Sequence, residues 1–103
     1  MLRTSENNKN LGVLKAGVVH RFDITLINDS DKEILFDTSV SCGCTKPKFK
    51  TNKVGPKSMI VGVCEFKPGN IKGNTTKSIT FRYTDSQRQV GVNYPYNFSA
   101  IIN

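Results

Sequence analysis

Four side chains in this chain of 103 residues have the softness to hold a metal or act as a nucleophile: His20, Cys42, Cys44 and Cys64. Together they match the donor count of a structural zinc site. Their spacing does not, because Cys42 and Cys44 stand as C-x-C where zinc knuckles use C-x(2–4)-C. His20 falls in phase with Val18, Phe22, Ile24 and Leu26, so a partly buried, hydrogen-bonded imidazole is the expected role. A Cys–His nucleophile would also need an orienting third group and an oxyanion donor, and neither is visible. Three cysteines are an odd number and no self-contained disulfide framework. In an extended strand Cys42 and Cys44 would point to one side, continuing the phase of Ile34, Phe36 and Val40. The expectation is small thiols packed in or beside a core, with a bridge from Cys42 or Cys44 to Cys64 only under oxidising conditions.

The remaining catalytic signatures are absent. The chain has no GxxxxGK[ST], GxGxxG or HExxH motif, and Glu65 and Asp85 are its only carboxylates after residue 40. No metal or cofactor is expected, and the expected class is a non-enzymatic protein. No apolar run approaches the roughly 18 residues that a membrane-spanning helix needs. The start, MLRTSENNKN, has no apolar core of a secretory signal. Residues 1–9 read as a flexible arm and residues 10–103 as one domain.

Charge is the strongest compositional feature. Fifteen basic against eight acidic residues give a net charge of +7, which favours a polyanion or an acidic protein surface as partner. The charge is uneven: residues 1–40 carry five basic and six acidic side chains, residues 41–103 ten basic and two acidic. Lys46, Lys48, Lys50, Lys53 and Lys57 lie in one acid-free stretch. The first three alternate, so an extended segment would project them from one face, as a binding stripe or as an edge strand guarded against pairing. The stretch has no arginine and Phe49 as its one aromatic, unlike the stacking surfaces of nucleic-acid readers.

These residues must be positioned by strands, since period-two alternation dominates and no window shows a helical period. Alternating or strand-like runs cover residues 18–26, 33–40, 58–66 and 78–83. A last run places Val90, Val92, Tyr94, Tyr96, Phe98, Ala100 and Ile102 on one parity. Pro95 sits on the other parity and marks an edge or a bend. Residues 11–14 offer a short first strand. Asn28-Asp29-Ser30-Asp31 and Pro68-Gly69-Asn70 are turn clusters. Short strands at this spacing predict an all-β sandwich.

The segment Ser41-Cys42-Gly43-Cys44-Thr45, followed by Pro47, resembles the SCGCT-x-P signature of the DUF1573 family. The flanks agree. Leu11-Gly12-Val13-Leu14-Lys15-Ala16-Gly17 is similar to the family's opening F-G-x-I-x-x-G, and FDITLIN at residues 22–28 to its F-x-F-x-N. Val54-Gly55-Pro56-Lys57 stands where the family has I-x-P-G, with Gly and Pro exchanged. Residues 73–81 are similar to G-x-x-x-K-x-I-x-V through Lys77 and Ile79. The resemblance implies an immunoglobulin-like antiparallel β-sandwich of about seven strands, related to domains of cilia and centrosome proteins, and it carries no established chemistry over to this chain. Family members are commonly exported, whereas this chain shows no signal. A stand-alone, unexported domain of this kind resembles the accessory domains that tailed bacteriophages add to their capsids.

The leading expectation is therefore an auxiliary protein of a bacteriophage capsid, located in the virion. Lys46, Lys48, Lys50, Lys53 and Lys57 would face an acidic patch of the major capsid protein, with exposed sheet edges available for strand addition. Outside a phage, the location expected without a signal is the cytoplasm. Alternatives are a nucleic-acid-associated basic protein using the same lysines on phosphates, and a cell-envelope domain binding protein or carbohydrate. No membrane partner is expected.

Overall fold

Strands alternate in burial because successive side chains leave opposite faces, and two sheets can share one apolar layer between them. The computed structural model describes residues 1–85 and 90–103, Asp85 by its backbone alone. Nine strands are present among them: β1 (Leu2–Thr4), β2 (Asn8–Leu14), β3 (His20–Asn28), β4 (Ile34–Val40), β5 (Thr45–Lys48), β6 (Lys53–Val54), β7 (Ser58–Phe66), β8 (Gly73–Asp85) and β9 (Val90–Ile102). They form a four-stranded sheet in the order β1-β3-β7-β5 and a five-stranded sheet in the order β2-β9-β8-β4-β6. This is the all-β sandwich expected, with nine strands where about seven were predicted.

The long alternating runs fill the core. Phe22, Ile24 and Leu26 of β3 and Cys64 and Phe66 of β7 face Ile79, Phe81 and Tyr83 of β8 and Tyr96, Phe98, Ala100 and Ile102 of β9. Phe98 lies between the sheets, its ring centroid 5.0 Å from that of Phe22 and 5.2 Å from that of Phe66. Pro95 sits in the half of β9 that β2 does not reach, since β2 pairs with residues 97–102. The missing N–H is thus placed on an edge.

Asn28 ends β3 as a buried polar side chain. Its Nδ2 donates to the carbonyls of Lys32, Val54 and Gly55 at 2.8–2.9 Å, and its Oδ1 accepts from Ser30 N and Oγ. One side chain thereby ties the β3–β4 turn to β6. Beside it, Gly55 has no positive φ, and Lys57 occupies the left-handed region at φ 53°. The lysine holds a backbone conformation that a glycine would adopt more readily.

The first residues differ from expectation. The arm predicted over residues 1–9 is instead a strand and the start of a second. β1 pairs antiparallel with β3, Leu2 opposite Asn28, and Leu2 and Thr4 are buried. Leu2 was too isolated among polar neighbours to signal a strand, yet it closes the open end of the core. The chain then changes sheets over residues 5–7, and β2 runs parallel to β9, the one parallel pair among the described residues in a sandwich predicted to be antiparallel. Truncating Leu2 to Ala should lower the free energy of unfolding by about 2–5 kcal/mol, the range for a buried leucine. Urea denaturation measures it, and a loss below about 0.5 kcal/mol would return residues 1–9 to a loose arm.

Candidate functional site

The cysteine motif lies in a turn, which corrects its reading as a continued strand. β4 ends at Val40, and residues 41–44 carry the chain from the five-stranded to the four-stranded sheet. Ser41 N donates to Ser78 O (3.1 Å) while Ser41 Oγ accepts from Ser78 N (3.0 Å). Thr45 N closes the turn on Cys42 O at 3.1 Å, and Lys67 N reaches Cys44 O at 2.8 Å. Cys42 and Cys44 are joined to each other in a disulfide, where packed thiols were expected, bridged to Cys64 only under oxidising conditions. Cys64 is a core residue of β7 with a free thiol, and burial pushes that thiol up to about 12. His20 is half-buried, its Nε2 3.1 Å from Lys15 O. Among the described residues, no three His, Cys, Asp or Glu side chains converge in a way that could hold a metal ion.

The five lysines do not share one face. Lys46 and Lys48 stand on β5, the edge of the four-stranded sheet, in register with Glu65 and Val63 of β7. Glu65 receives two cations: Lys48 Nζ lies 3.1 Å from Oε1, and the Arg21 guanidinium 3.0 Å from Oε2. Lys48 first, then Arg21, holds the Glu65 carboxyl below its usual range against the opposing effect of desolvation. After Lys48 the chain dives inward. The Phe49 ring packs between Phe36 (5.4 Å) and Phe81 (5.9 Å), in space that Gly62 leaves open. A Cβ on Gly62 would fall 2.4 Å from that ring and 2.7 Å from Lys48 O. Beyond this crossing, Lys50 is in the connecting loop and Lys53 is in β6 on the other sheet. Lys57 lies between β6 and β7 and is held against the β3–β4 turn, its N donating to Ser30 O and its Nζ to Asp29 O at 2.7 Å.

Residues that were not singled out complete the surface. On the outer face of β7, Met59, Val61 and Val63 are 63%, 56% and 39% exposed. Across the register from β3 come Ile27 beside Met59, Thr25 beside Val61 and Asp23 beside Val63. An apolar ridge therefore runs down the middle of the sheet, with Lys46, Lys48 and Arg21 gathered at one end. The sequence held a signal: residues 59–64 carry no polar side chain on either parity, the pattern of a strand covered on both faces. Only one of those faces is covered here.

The sequence matches the family model described as "Protein of unknown function (DUF1573)" over residues 2–94. The chain belongs to the DUF1573 family. No curated protein matches it. Among solved structures, this DUF1573 domain is similar to the ASH / PapD-like domain 7 of human CEP192, with TM-score 0.81 and 6% identity over 99% of this chain and 84% of that one. It is also similar to the E. coli chaperone DraB (TM-score 0.76, 12% identity, 99% of this chain and 55% of that one). The YadV chaperone gives TM-score 0.74 and 7% identity over 99% and 52%. The domain spans about half the length of the two chaperones. Identities this low establish the shared β-sandwich fold and nothing finer.

Glu65 makes the ion cluster testable. Its carboxyl is depressed in the folded state, so its stabilisation is complete above the ordinary value near 4.5 and is lost as pH falls through the lower folded value. Wild type should unfold at higher urea than Glu65→Gln at about pH 7, and the two midpoints should converge toward about pH 3. A gap that does not change with pH would contradict the ion pairing.

Proposed function

We propose that this DUF1573 domain is a non-enzymatic protein-binding module that docks a partner on the outer face of its four-stranded sheet. The observation that carries this reading is the exposed ridge of Met59, Val61 and Val63. Scattered surface hydrophobics are ordinary, whereas successive ones on one strand face form a contact centre. The ridge ends at Arg21, Lys46 and Lys48, while Glu65 is already matched by two cations. The partner that fits has an apolar centre and an acidic margin, and its charges would speed encounter more than they tighten the complex. A shell protein of a capsid with an acidic patch is a partner of that kind.

The same face disfavours the nucleic-acid reading. Methionine and valines offer bases no flat ring to stack on, and three of the five lysines lie away from β5, Lys50 in the loop after it, Lys53 on the other sheet and Lys57 bound against a turn.

A photo-cross-linking side chain placed at Val61, in cells that make the protein naturally, tests the assignment. Val61 should yield a discrete adduct that the same probe at Thr76, exposed on β8, does not give. Lys46→Glu with Lys48→Glu should lower its yield roughly tenfold at low salt. Equal adducts from both positions, or a yield indifferent to the lysines, would contradict the proposal.

A further inference from the structure

The disulfide of the cysteine motif has features of a reactive site more than of a structural cross-link. It closes a loop between residues only two apart, and a cross-link restrains the unfolded chain least when its loop is shortest. The turn is held without it: Ser41–Ser78, Thr45 N to Cys42 O and Lys67 N to Cys44 O all run through backbone or hydroxyl groups. Opening the S–S bond would leave each of these in place, so both redox states can share one fold. Cys42 and Cys44 are half-buried, Gly43 between them is exposed, and apart from these two neighbours no residue lies within 4 Å of where a Gly43 side chain would begin. The tip of the turn is therefore uncovered by the rest of the fold.

The two sulfurs differ. Cys42 Sγ accepts the Cys44 N–H at 3.2 Å, a donor that would stabilise negative charge on that sulfur. Cys44 Sγ has the Thr45 hydroxyl at 3.7 Å, a longer and weaker contact. The better leaving thiolate is therefore Cys42, because exchange is faster when the departing sulfur carries charge more easily.

We propose that the turn at residues 41–45 is a thiol–disulfide exchange site whose reductant is a thiol of low molecular mass. The incoming thiolate attacks Cys44 Sγ, the Cys44–Cys42 bond breaks, and Cys42 departs as a thiolate facing the Cys44 N–H. A second thiolate then attacks the mixed disulfide at its non-protein sulfur. The two small thiols leave joined as a disulfide, and Cys44 is released as a thiolate. Two electrons pass from the small thiols to the cysteine pair, whose sulfurs take up the two protons the small thiols give up. Cys64 takes no part, since it is buried in the core with its proton retained.

The test uses the full chain, folded, in glutathione buffers of varied ratio of reduced to oxidised form. Free thiols are blocked with a maleimide and located by peptide mass. Cys42 and Cys44 should interconvert between bridged and free as the ratio changes, while Cys64 stays unlabelled and the far-ultraviolet circular dichroism, which reports the strands, is unchanged. The proposal is overturned if the pair never bridges in any buffer, or if it is reduced only at denaturant concentrations that also expose Cys64. The order of attack has its own readout in the single variants. Cys42 in Cys44→Ser should react with iodoacetamide at least about tenfold faster near pH 7 than Cys44 in Cys42→Ser, consistent with a thiolate lowered from the usual value near 8.5. The reverse ranking would overturn that order.

Discussion

The hydrogen bonds that hold the 41–45 turn against both sheets decide where the rest of the chain can go. Ser41 is bound to Ser78 of β8 in one sheet, and Cys44 O receives Lys67 N just past β7 of the other. Between those anchors the chain has a few residues in which to cross the sandwich. That is why β5 can join β7 as an edge strand and why Thr45 is buried at its start. Four residues later the chain crosses back, and Phe49 fills the gap that the crossing opens, against Phe36, Phe81 and Gly62. A longer β5 would leave no room for this plug, so the length of the lysine-bearing edge is set by the two crossings.

The electrostatics follow from that geometry. The net charge of +7 has the magnitude of a polyanion binder, but the fold distributes the densest lysine cluster over two sheets and a turn. Lys57 is spent on the β3–β4 turn, where its ammonium meets Asp29 O and its backbone takes a left-handed conformation. Lys48 and Arg21 share the one carboxylate of Glu65. What remains beside the apolar ridge of β7 is a small basic margin suited to orienting one protein partner. The fold shared with CEP192's PapD-like domain and with two chaperones gives such a face a rigid support, with the chemistry of contact left to outward side chains.

The long strands were legible in the sequence because their alternation is long enough to fix both type and face. β3, β4, β7, β8 and β9 each emerge from their apolar parity, and the Pro95 edge and the Asn28 turn were visible for the same local reasons. β1, β5 and β6 were not, since strands of two to four residues exist only because a neighbour offers a ladder, and no local pattern encodes a neighbour. The cysteine motif was read with the wrong geometry for a related reason: C-x-C is compatible with a strand, and only the anchors at Ser78 and Lys67 make it a turn. The candidate surface was half visible. Lys46 and Lys48 do share a face, but the departure of Lys50, Lys53 and Lys57 required knowing that Phe49 turns inward. The apolar outer face of β7 was overlooked because a doubly apolar run reads as doubly buried.

Native-state hydrogen exchange followed by NMR tests most directly whether the 41–45 turn ties the two sheets together. The amides of Ser41, Lys67 and Ser78 should exchange only through global opening, with protection matching that of core amides in β3 and β8. If these three exchange as fast as exposed loop amides while the strands remain protected, the turn is not the anchor of the crossing, and the placement of β5, Phe49 and the basic margin needs another cause.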